Sequence, residues 1–298
     1  MNYQEFKNYI CDAMTARLGS DLKIVLQDVT KNNDIHLDGL TILTPKCNIA
    51  PTIYLNYYFN QYQKGKSLDE ICQSIQNIYE KNRPSQNIDS SFFTDYDKVK
   101  SRIVYKLVNF NQNQKLLERI PHYRFLDLAI IFCCLLETSP AGSATILIHN
   151  HHLQFWNVTK DDLYALAQTN TPHLLKYDFR NMSEILNEFI SPADESIILG
   201  EECCPLTLYV LTNQYKLNGS ACILYPELLK SIAERLKCDL FILPSSIHEV
   251  LIVPAPGQST HEELTRMVRE VNATQLAPEE ILSDHVYCFS RETGRLSM

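Results

Sequence analysis

The chain of 298 residues can form one large domain or two of ordinary size, and its 45% hydrophobic and 21% charged residues are typical of a globular protein. A formal net charge of −8 at pH 7 argues against nonspecific binding to nucleic acid, because neutralising phosphates requires clustered lysine and arginine. The longest apolar run, Leu128–Leu136, is far shorter than the ~20 residues that cross a bilayer as a helix. The N-terminus carries no recognisable secretory signal, so we expect a cytoplasmic location and no membrane contact.

The first region, residues 1–90, is predicted to be a mixed α and β unit. Apolar residues recur at helical spacing over 2–18, which predicts a helix. Alternating apolar residues between 22 and 42 predict two strands joined by a turn, and 53–55 predicts a third, short strand. The sequence Ser67–Glu70 has the spacing of a capping box, which predicts the start of a second helix.

The central region, residues 91–195, is also predicted to mix strands and helices. A capping box that starts at Thr159 predicts a helix ending near Gln168. Polar segments flank the region, and we interpret 82–91 as a loop or domain boundary and 191–195 as a linker. The predicted strands, of which the last two form a pair around a tight turn, are 103–108, 128–136 and 144–148.

The C-terminal region, residues 196–298, shows a β-β-α-β-β-α order. The dipeptide Asn218-Gly219 is typical of a hairpin turn, and Pro226 suits the first position of a helix. Short connections favour an antiparallel sheet with helices packed on one face, so we predict an α+β fold built mainly from antiparallel sheets. The predicted elements are strands at 206–211, 221–225, 240–243 and 250–253, with helices that begin at Pro226 and Thr260.

Several segments of the chain resemble an uncharacterised bacterial family, catalogued as domain of unknown function 5688. The resemblance extends over most of the chain and is strongest in the last third. It implies a stand-alone cytoplasmic protein, and it implies no particular activity. The segments that carry it are Leu37–Thr41, Pro51–Asn56, Tyr209–Asn213, Leu224–Pro226, Ile242–Glu249, Glu270–Gln275 and Pro278–Asp284.

The first candidate site is a polar stretch between two predicted buried strands. Serine, histidine and glutamate are the residue types of acyl-transfer chemistry, in which an imidazole takes a proton from a hydroxyl group. On an extended chain Ser246 and His248 share one face, whereas Ser245 and Glu249 point to the other, so Glu249 cannot orient His248. Asp284 or another acid could take that role. The alternative is a turn whose hydroxyl groups satisfy nearby backbone groups.

A second group of polar residues follows the last predicted helix. Asn272, together with Thr274, Gln275 and the segment Ser283–His285, could bind a polar ligand. Alternatively, they satisfy the last carbonyl groups of the helix and the chain reversal that follows it. The predicted binding residues of the whole chain are Ser245, Ser246, His248, Glu249, Asn272 and Asp284.

Two further segments have alternative interpretations. The histidines of His149–His152 suggest a metal site, but two residues apart on a strand they supply at most two ligands on one face, so we predict no metal. The basic segment 98–124 also carries aromatic residues and could hold an anionic partner. The net negative charge favours the alternative, a solvated face opposite acidic elements.

The remaining motifs restrict the function. Phosphate-binding glycine loops, the serine elbow, the helix-turn-helix and the zinc finger are not recognisable in the sequence, and we expect no cofactor. The ten cysteines form no C-x-x-C pair, which favours reduced thiols.

The leading hypothesis is a non-enzymatic cytoplasmic module that binds a protein partner or a small ligand. The alternative is a hydrolase or transferase with Ser245 or Ser246 as nucleophile and His248 as general base. A third hypothesis, a toxin, antitoxin or phage-related factor, rests on no particular residue.

Overall fold

The fold consists of two compact units, Met1–Ser91 and Phe92–Met298. Among the described helices, none combines the length and the apolar composition needed to span a bilayer. The computed structural model describes residues 1–19, 21–45, 47, 50–83, 91–139, 142–189, 207–255 and 260–298.

The first unit is a three-stranded antiparallel sheet with three helices. The strand order is β1-β2-β3, and apolar residues of the sheet share one core with all three helices. The predicted first helix, hairpin, third strand and capped helix are confirmed, whereas helix α2 was not predicted. The elements are α1 (Tyr3–Leu18), β1 (Lys23–Thr30), β2 (His36–Leu43), β3 (Thr52–Tyr54), α2 (Leu55–Gln63) and α3 (Leu68–Asn82).

Side-chain caps determine where two helices of this unit begin. The Asn2 side chain accepts from the backbone N–H of Glu5, and the Glu5 carboxylate accepts from the backbone N–H of Asn2. Ser67 and Glu70 make the same reciprocal pair at the start of α3. These bonds satisfy backbone N–H groups that a helix leaves free in its first turn. The tyrosine- and asparagine-rich α2 has a low helix propensity, and its burial of Leu55 stabilises it instead.

The second unit begins with a four-stranded antiparallel sheet. The long strand β6 pairs with β4 along one side, and with β5 and then β7 along the other. The predicted β4 and the β6–β7 pair are confirmed; β5 was not predicted, and α7 extends beyond the predicted end at Gln168. The elements are α4 (Tyr96–Val99), β4 (Ile103–Asn109), α5 (Gln114–Leu117), β5 (His122–Phe125), β6 (Leu128–Ser139), β7 (Gly142–Leu147), α6 (Asn150–Trp156) and α7 (Lys160–Leu174).

A six-stranded antiparallel sheet completes the second unit, with the order β13-β12-β10-β11-β9-β8. The predicted α+β class with mainly antiparallel sheets is therefore confirmed. Strand β9 begins and ends later than the predicted 206–211. The elements are β8 (Tyr177–Asn181), α8 (Met182–Phe189), β9 (Tyr209–Asn213), α9 (Leu228–Leu236), β10 (Asp239–Leu243), β11 (Val250–Ala255), α10 (His261–Thr274), β12 (Tyr287–Ser290) and β13 (Arg295–Ser297).

Helices cover both faces of this sheet rather than one. Leu240 and Ile242 of β10 belong to the core that contains α9, whereas Leu243 packs with Leu264 and Val268 of α10. Successive strand residues point to opposite faces, so α9 and α10 lie on opposite sides of the sheet. The first of these cores also includes apolar residues of the four-stranded sheet, which joins the two sheets within the unit.

The predicted strand at 221–225 is wrong. Gly219–Leu224 forms a buried 3-10 helix, and α9 begins at Leu228 rather than at Pro226. Strand β9 pairs with β8 along one edge and with β11 along the other, so both edges are occupied and a returning strand has no partner. A short apolar run suits a buried helical turn as well as a strand. The C-terminal order is therefore not β-β-α-β-β-α, and two strands follow α10.

The predicted division into regions 1–90, 91–195 and 196–298, each folding as its own unit, stays a prediction. Strand β8, from the central region, pairs with β9 from the C-terminal region. The predicted linker at 191–195 and most of the predicted loop at 82–91 lie outside the described residues, as does the first part of the Pro140–Gly142 turn.

A substitution at Gly219 tests whether the 3-10 helix Gly219–Leu224 packs closely against its neighbours. A methyl group added at Gly219 would lie 2.2 Å from Thr212 Oγ1 and 2.5 Å from the His248 carbonyl oxygen. We expect Gly219→Ala to lower the free energy of unfolding by about 3 kcal/mol or more. Gly294→Ala is the control, because that position is open and only its positive φ of 65° opposes alanine, at a cost of about 1 kcal/mol. Urea unfolding followed by Trp156 fluorescence measures both, and equal losses would contradict the close approach.

Candidate functional site

The stretch Pro244–Glu249 is tied by backbone hydrogen bonds to the chain that follows α10. The Leu282 N–H donates to Ser245 O at 2.8 Å, the Ser283 N–H donates to Pro244 O at 2.9 Å, and the Ile247 N–H donates to Glu280 O at 2.9 Å. The candidate stretch is therefore one side of a short paired structure. Its partner is the segment 280–285, which we call the rim segment.

The hydroxyl groups around this stretch mainly satisfy its backbone. Ser246 is buried, and its hydroxyl oxygen accepts from the backbone N–H of His248 at 3.0 Å. Thr212 donates from Oγ1 to His248 O, and Ser220 donates from Oγ to Ile247 O, each at 2.8 Å. This arrangement matches the structural interpretation of the Pro-Ser-Ser turn. It does not direct a serine hydroxyl at an imidazole.

The imidazole of His248 lies between a backbone donor and a carboxylate. Its Nδ1 accepts from the Asn218 N–H at 3.3 Å, so the ring proton is on Nε2, which faces Glu280 Oε1 at 3.7 Å. The side chain is 25% exposed. The acid beside His248 is therefore Glu280, which sequence reasoning missed. Glu249 is half-buried at the start of β11, and Asp284 lies with a different group of residues.

Asn272 and Asp284, predicted from the sequence, are brought together at the end of α10. The Asn272 side-chain amide donates to Ser283 O at 3.0 Å and to Asp284 Oδ1 at 2.7 Å. Asn272 is buried, and its side-chain carbonyl oxygen accepts no hydrogen bond from the described residues. Asp284 is exposed, so the pair connects a buried amide to a surface carboxylate.

A largely buried carboxylate, that of Asp127, organises the centre of the site. It accepts from Ser283 Oγ at 2.6 Å and from the Tyr287 hydroxyl, and His285 Nδ1 lies 3.0 Å from its Oδ2. The Asp127 side chain is 11% exposed, whereas that of His285 is 48% exposed. We call these four residues the carboxylate cluster. Because a carboxylate only accepts, His285 Nδ1 is the donor in this contact.

The carboxylate cluster connects the two sheets of the second unit. Asp127 immediately precedes β6, and Tyr287 opens β12. Burial, followed by the negative charge of Asp127, raises the pKa of Tyr287 well above its usual value, so the phenol stays a hydrogen-bond donor. Ser283 also accepts from the His285 backbone N–H at 2.9 Å, which uses its hydroxyl in both directions. One contact to the His285 ring and one hydrogen bond from its backbone N–H therefore fix the position of the side chain.

Asp127 and His285 were not predicted to form a site together. One sequence signal was available, since a single aspartate directly before an apolar strand must find donors if it is buried. Leu126, the residue before it, has a positive φ of 55°, which turns the chain sharply into β6. The donors come from residues 156 to 160 positions later, and their identity is not visible in the local pattern.

The histidines of 149–152 form a compact group at the start of α6. The His151 and His152 ring centroids are 4.0 Å apart, and the His152 ring stacks on Trp156 at 5.5 Å. The His149 N–H donates to His152 Nδ1 at 3.0 Å, so this imidazole caps the helix as a neutral acceptor. Throughout the described residues, no three side chains of histidine, cysteine, aspartate or glutamate are grouped as metal ligands.

The basic segment 98–124 is largely paired within the fold. Lys98 and Lys100 form ion pairs with Asp95 and Asp97 at 3.5 and 2.7 Å. Arg102 donates to the Leu136 carbonyl oxygen at 3.1 Å, and the Arg124 guanidinium lies over the Phe110 ring. These contacts agree with the interpretation as a solvated face.

The fold and the carboxylate cluster together define an α+β protein with antiparallel sheets and a polar site anchored on a buried aspartate. The chain belongs to the family of unknown function DUF5688, whose model matches residues 3–291. The resemblance seen in the sequence is thereby confirmed over nearly the whole chain. Comparison with curated proteins finds no match, and comparison with solved structures finds none.

The surroundings of His152 predict how the stability of the protein depends on pH. Burial, with the charges of His151 and His149, lowers the pKa of His152 from 6.5 to about 4. As the pH falls, the unfolded chain therefore binds a proton at His152 before the folded chain does. The free energy of unfolding decreases as the pH falls from 6.5 towards 4. We expect His152→Gln, which keeps an acceptor for His149, to lose less stability over this range than the wild type.

Unfolding in urea at several pH values, followed by the fluorescence of the single tryptophan, measures the difference. His173→Gln is the control, because it makes the same substitution at an exposed histidine of α7. The same pH dependence in His152→Gln and the wild type would contradict a neutral, capping His152.

Proposed function

We propose that this chain is a non-enzymatic cytoplasmic binding protein and that the rim segment carries its binding site. The observation that supports this most directly is the carboxylate cluster, in which the largely buried Asp127 fixes the half-exposed ring of His285. Binding sites gain affinity when their contact groups are held in place before the ligand arrives, because less freedom is lost on binding. A half-exposed ring with a fixed orientation is such a group.

The exposed carboxylates of the rim segment are hydrogen-bond acceptors. Asp284 and Glu280 present carboxylates, and His285 presents Nε2, since its Nδ1 proton is bonded to Asp127. The partner that fits them is a cationic, donor-rich group such as an arginine or lysine side chain or a small amine. The net charge of −8 attracts the same class of partner. We propose this ligand class for a protein partner or a small molecule.

The residues predicted from the sequence, and Glu280, which the structure adds, take different roles in this proposal. His285, Asp284 and Glu280 contact the ligand, and Asn272 supports Asp284. Ser245, Ser246, His248 and Glu249 form the paired stretch behind the rim segment. A hydrolase or transferase at His248 is the less favoured alternative, because the Ser246 hydroxyl is bonded to backbone. A cytoplasmic location is supported by the free thiols of the eight described cysteines.

The proposal is tested with arginine amide as the probe. Titration into isotope-labelled protein should shift the backbone resonances of Glu280, Asp284 and His285 before those of other acidic surfaces. The double variant Glu280→Gln with Asp284→Asn should weaken binding by about tenfold, because two charge-assisted hydrogen bonds are lost.

Glu234→Gln, which removes an exposed carboxylate from α9, is the matched control and should bind like the wild type. Resonance shifts spread evenly over the acidic surface, or a double variant that binds as tightly as Glu234→Gln, would contradict the proposed site.

A further inference from the structure

Strand β8 lies at one edge of the six-stranded sheet, and β9 is its one strand partner in the described part of the chain. The backbone groups on the outer side of an edge strand are a template for pairing with a further strand. The strand at the opposite edge, β13, has three residues, and such short edge strands are poor templates. Strand β8 has five residues and carries Tyr177, whose side chain is 54% exposed. Its outer edge is therefore the more open of the two.

Hydrogen bonds at the two ends of β8 show which backbone groups face outwards. The Gln214 N–H donates to Lys176 O, and the Met182 N–H donates to Leu208 O, each at 2.9 Å. Both pairs fall in the antiparallel register of β8 with β9, in which bonded and non-bonded pairs alternate. The even-numbered residues of β8 therefore direct their backbone groups at β9. The odd-numbered residues, with Phe179 at the centre, direct theirs outwards.

Two opposite charges lie symmetrically about the centre of β8. Arg180 Nε lies 3.2 Å from Asp178 Oδ2, and the two side chains are 28% and 30% exposed. Residues two apart on a strand share one face of the sheet, so both charges lie on the same face. Phe179 stands between them in the chain. A strand with this pattern is complementary to itself when a second copy runs antiparallel to it.

We propose that two copies of this chain associate through the outer edges of β8, with a two-fold axis at Phe179. In this arrangement the N–H and C=O of Phe179 bond to those of Phe179 in the second copy, and Asp178 lies opposite Arg180 of the second copy. Opposite charges directly across two strands stabilise their pairing. The two six-stranded sheets then form one continuous sheet. The inference goes beyond the proposed function and does not depend on the rim segment.

The charges disfavour the neighbouring registers. An axis at residue 178 places Asp178 opposite itself, and an axis at residue 180 places Arg180 opposite itself. Like charges directly opposite one another destabilise a strand pair. An axis at Tyr177 or at Asn181 brings just one residue of each β8 strand opposite the other. The axis at Phe179 uses the whole strand Tyr177–Asn181 and matches the charges in both copies.

Exchanging the two charges tests the pairing. Asp178→Arg and Arg180→Asp each place like charges opposite one another in a homodimer, so each variant alone should dimerise about tenfold or more weakly than the wild type. An equimolar mixture of the two variants restores opposite charges at both positions and should dimerise like the wild type. Sedimentation equilibrium over a range of protein concentrations measures the dissociation constants. Asp97→Arg, which makes the same change of charge at the exposed ion pair with Lys100, is the control and should dimerise like the wild type.

Amide hydrogen exchange reports the register. The Phe179 N–H faces outwards in the single chain and is bonded in the dimer, so its exchange should slow as the protein concentration rises. The Arg180 N–H faces β9 in both states, and its exchange should not respond to concentration. Tyr177→Pro removes an outward-facing N–H that the sheet of its own chain does not use, and it should weaken dimerisation as the charge variants do.

Wild-type protein that sediments as a single chain at every concentration would overturn the proposal. So would charge variants that dimerise as tightly as the wild type, or a folded mixture of the two that stays monomeric. Near-ultraviolet circular dichroism shows whether each variant is folded. If either charge variant unfolds, Tyr177→Pro and the concentration dependence of exchange at Phe179 decide the question, and a dimer that leaves both unchanged contradicts pairing through β8.

Discussion

The largely buried carboxylate of Asp127 is the constraint on which the site depends. A charge taken out of water is costly unless donors surround it, and three side chains, from Ser283, His285 and Tyr287, supply them. Because Asp127 precedes β6 of one sheet and Tyr287 begins β12 of the other, satisfying the charge also holds the rim segment against both sheets. The same bonds that make the burial tolerable therefore orient the exposed ring of His285.

Local physics was sufficient to predict much of the fold. The capping boxes at Ser67, Thr159 and Thr260 each start a helix in the structure, because their side chains satisfy backbone groups of the first turn. Alternation predicted the paired strands β1 and β2. The segment Gly219–Leu224 was not predictable in this way, since its conformation depends on whether β9 has a free edge.

The candidate site was predictable only in part. The sequence identified Asn272 and Asp284, which do meet, and His248, whose neighbour proved to be Glu280. It did not identify Asp127, because the ring that Asp127 orients lies 158 residues further along the chain. Side chains within one segment reveal caps and turns, whereas a buried charge is explained only by the donors that tertiary structure brings to it. The polar residues of 244–249 are conspicuous in sequence but serve mainly the backbone.

Asp127 and Tyr287 hold the site through a direct hydrogen bond, and a double-mutant cycle of the two residues measures how strongly they are coupled. Asp127→Asn, Tyr287→Phe and the double variant are unfolded in urea, and their free energies of unfolding are compared with the wild type. We expect the two substitutions to be coupled by about 1 kcal/mol or more, because the residues share one hydrogen bond in a largely buried network. Losses that add to within about 0.3 kcal/mol would show independent residues and would contradict it.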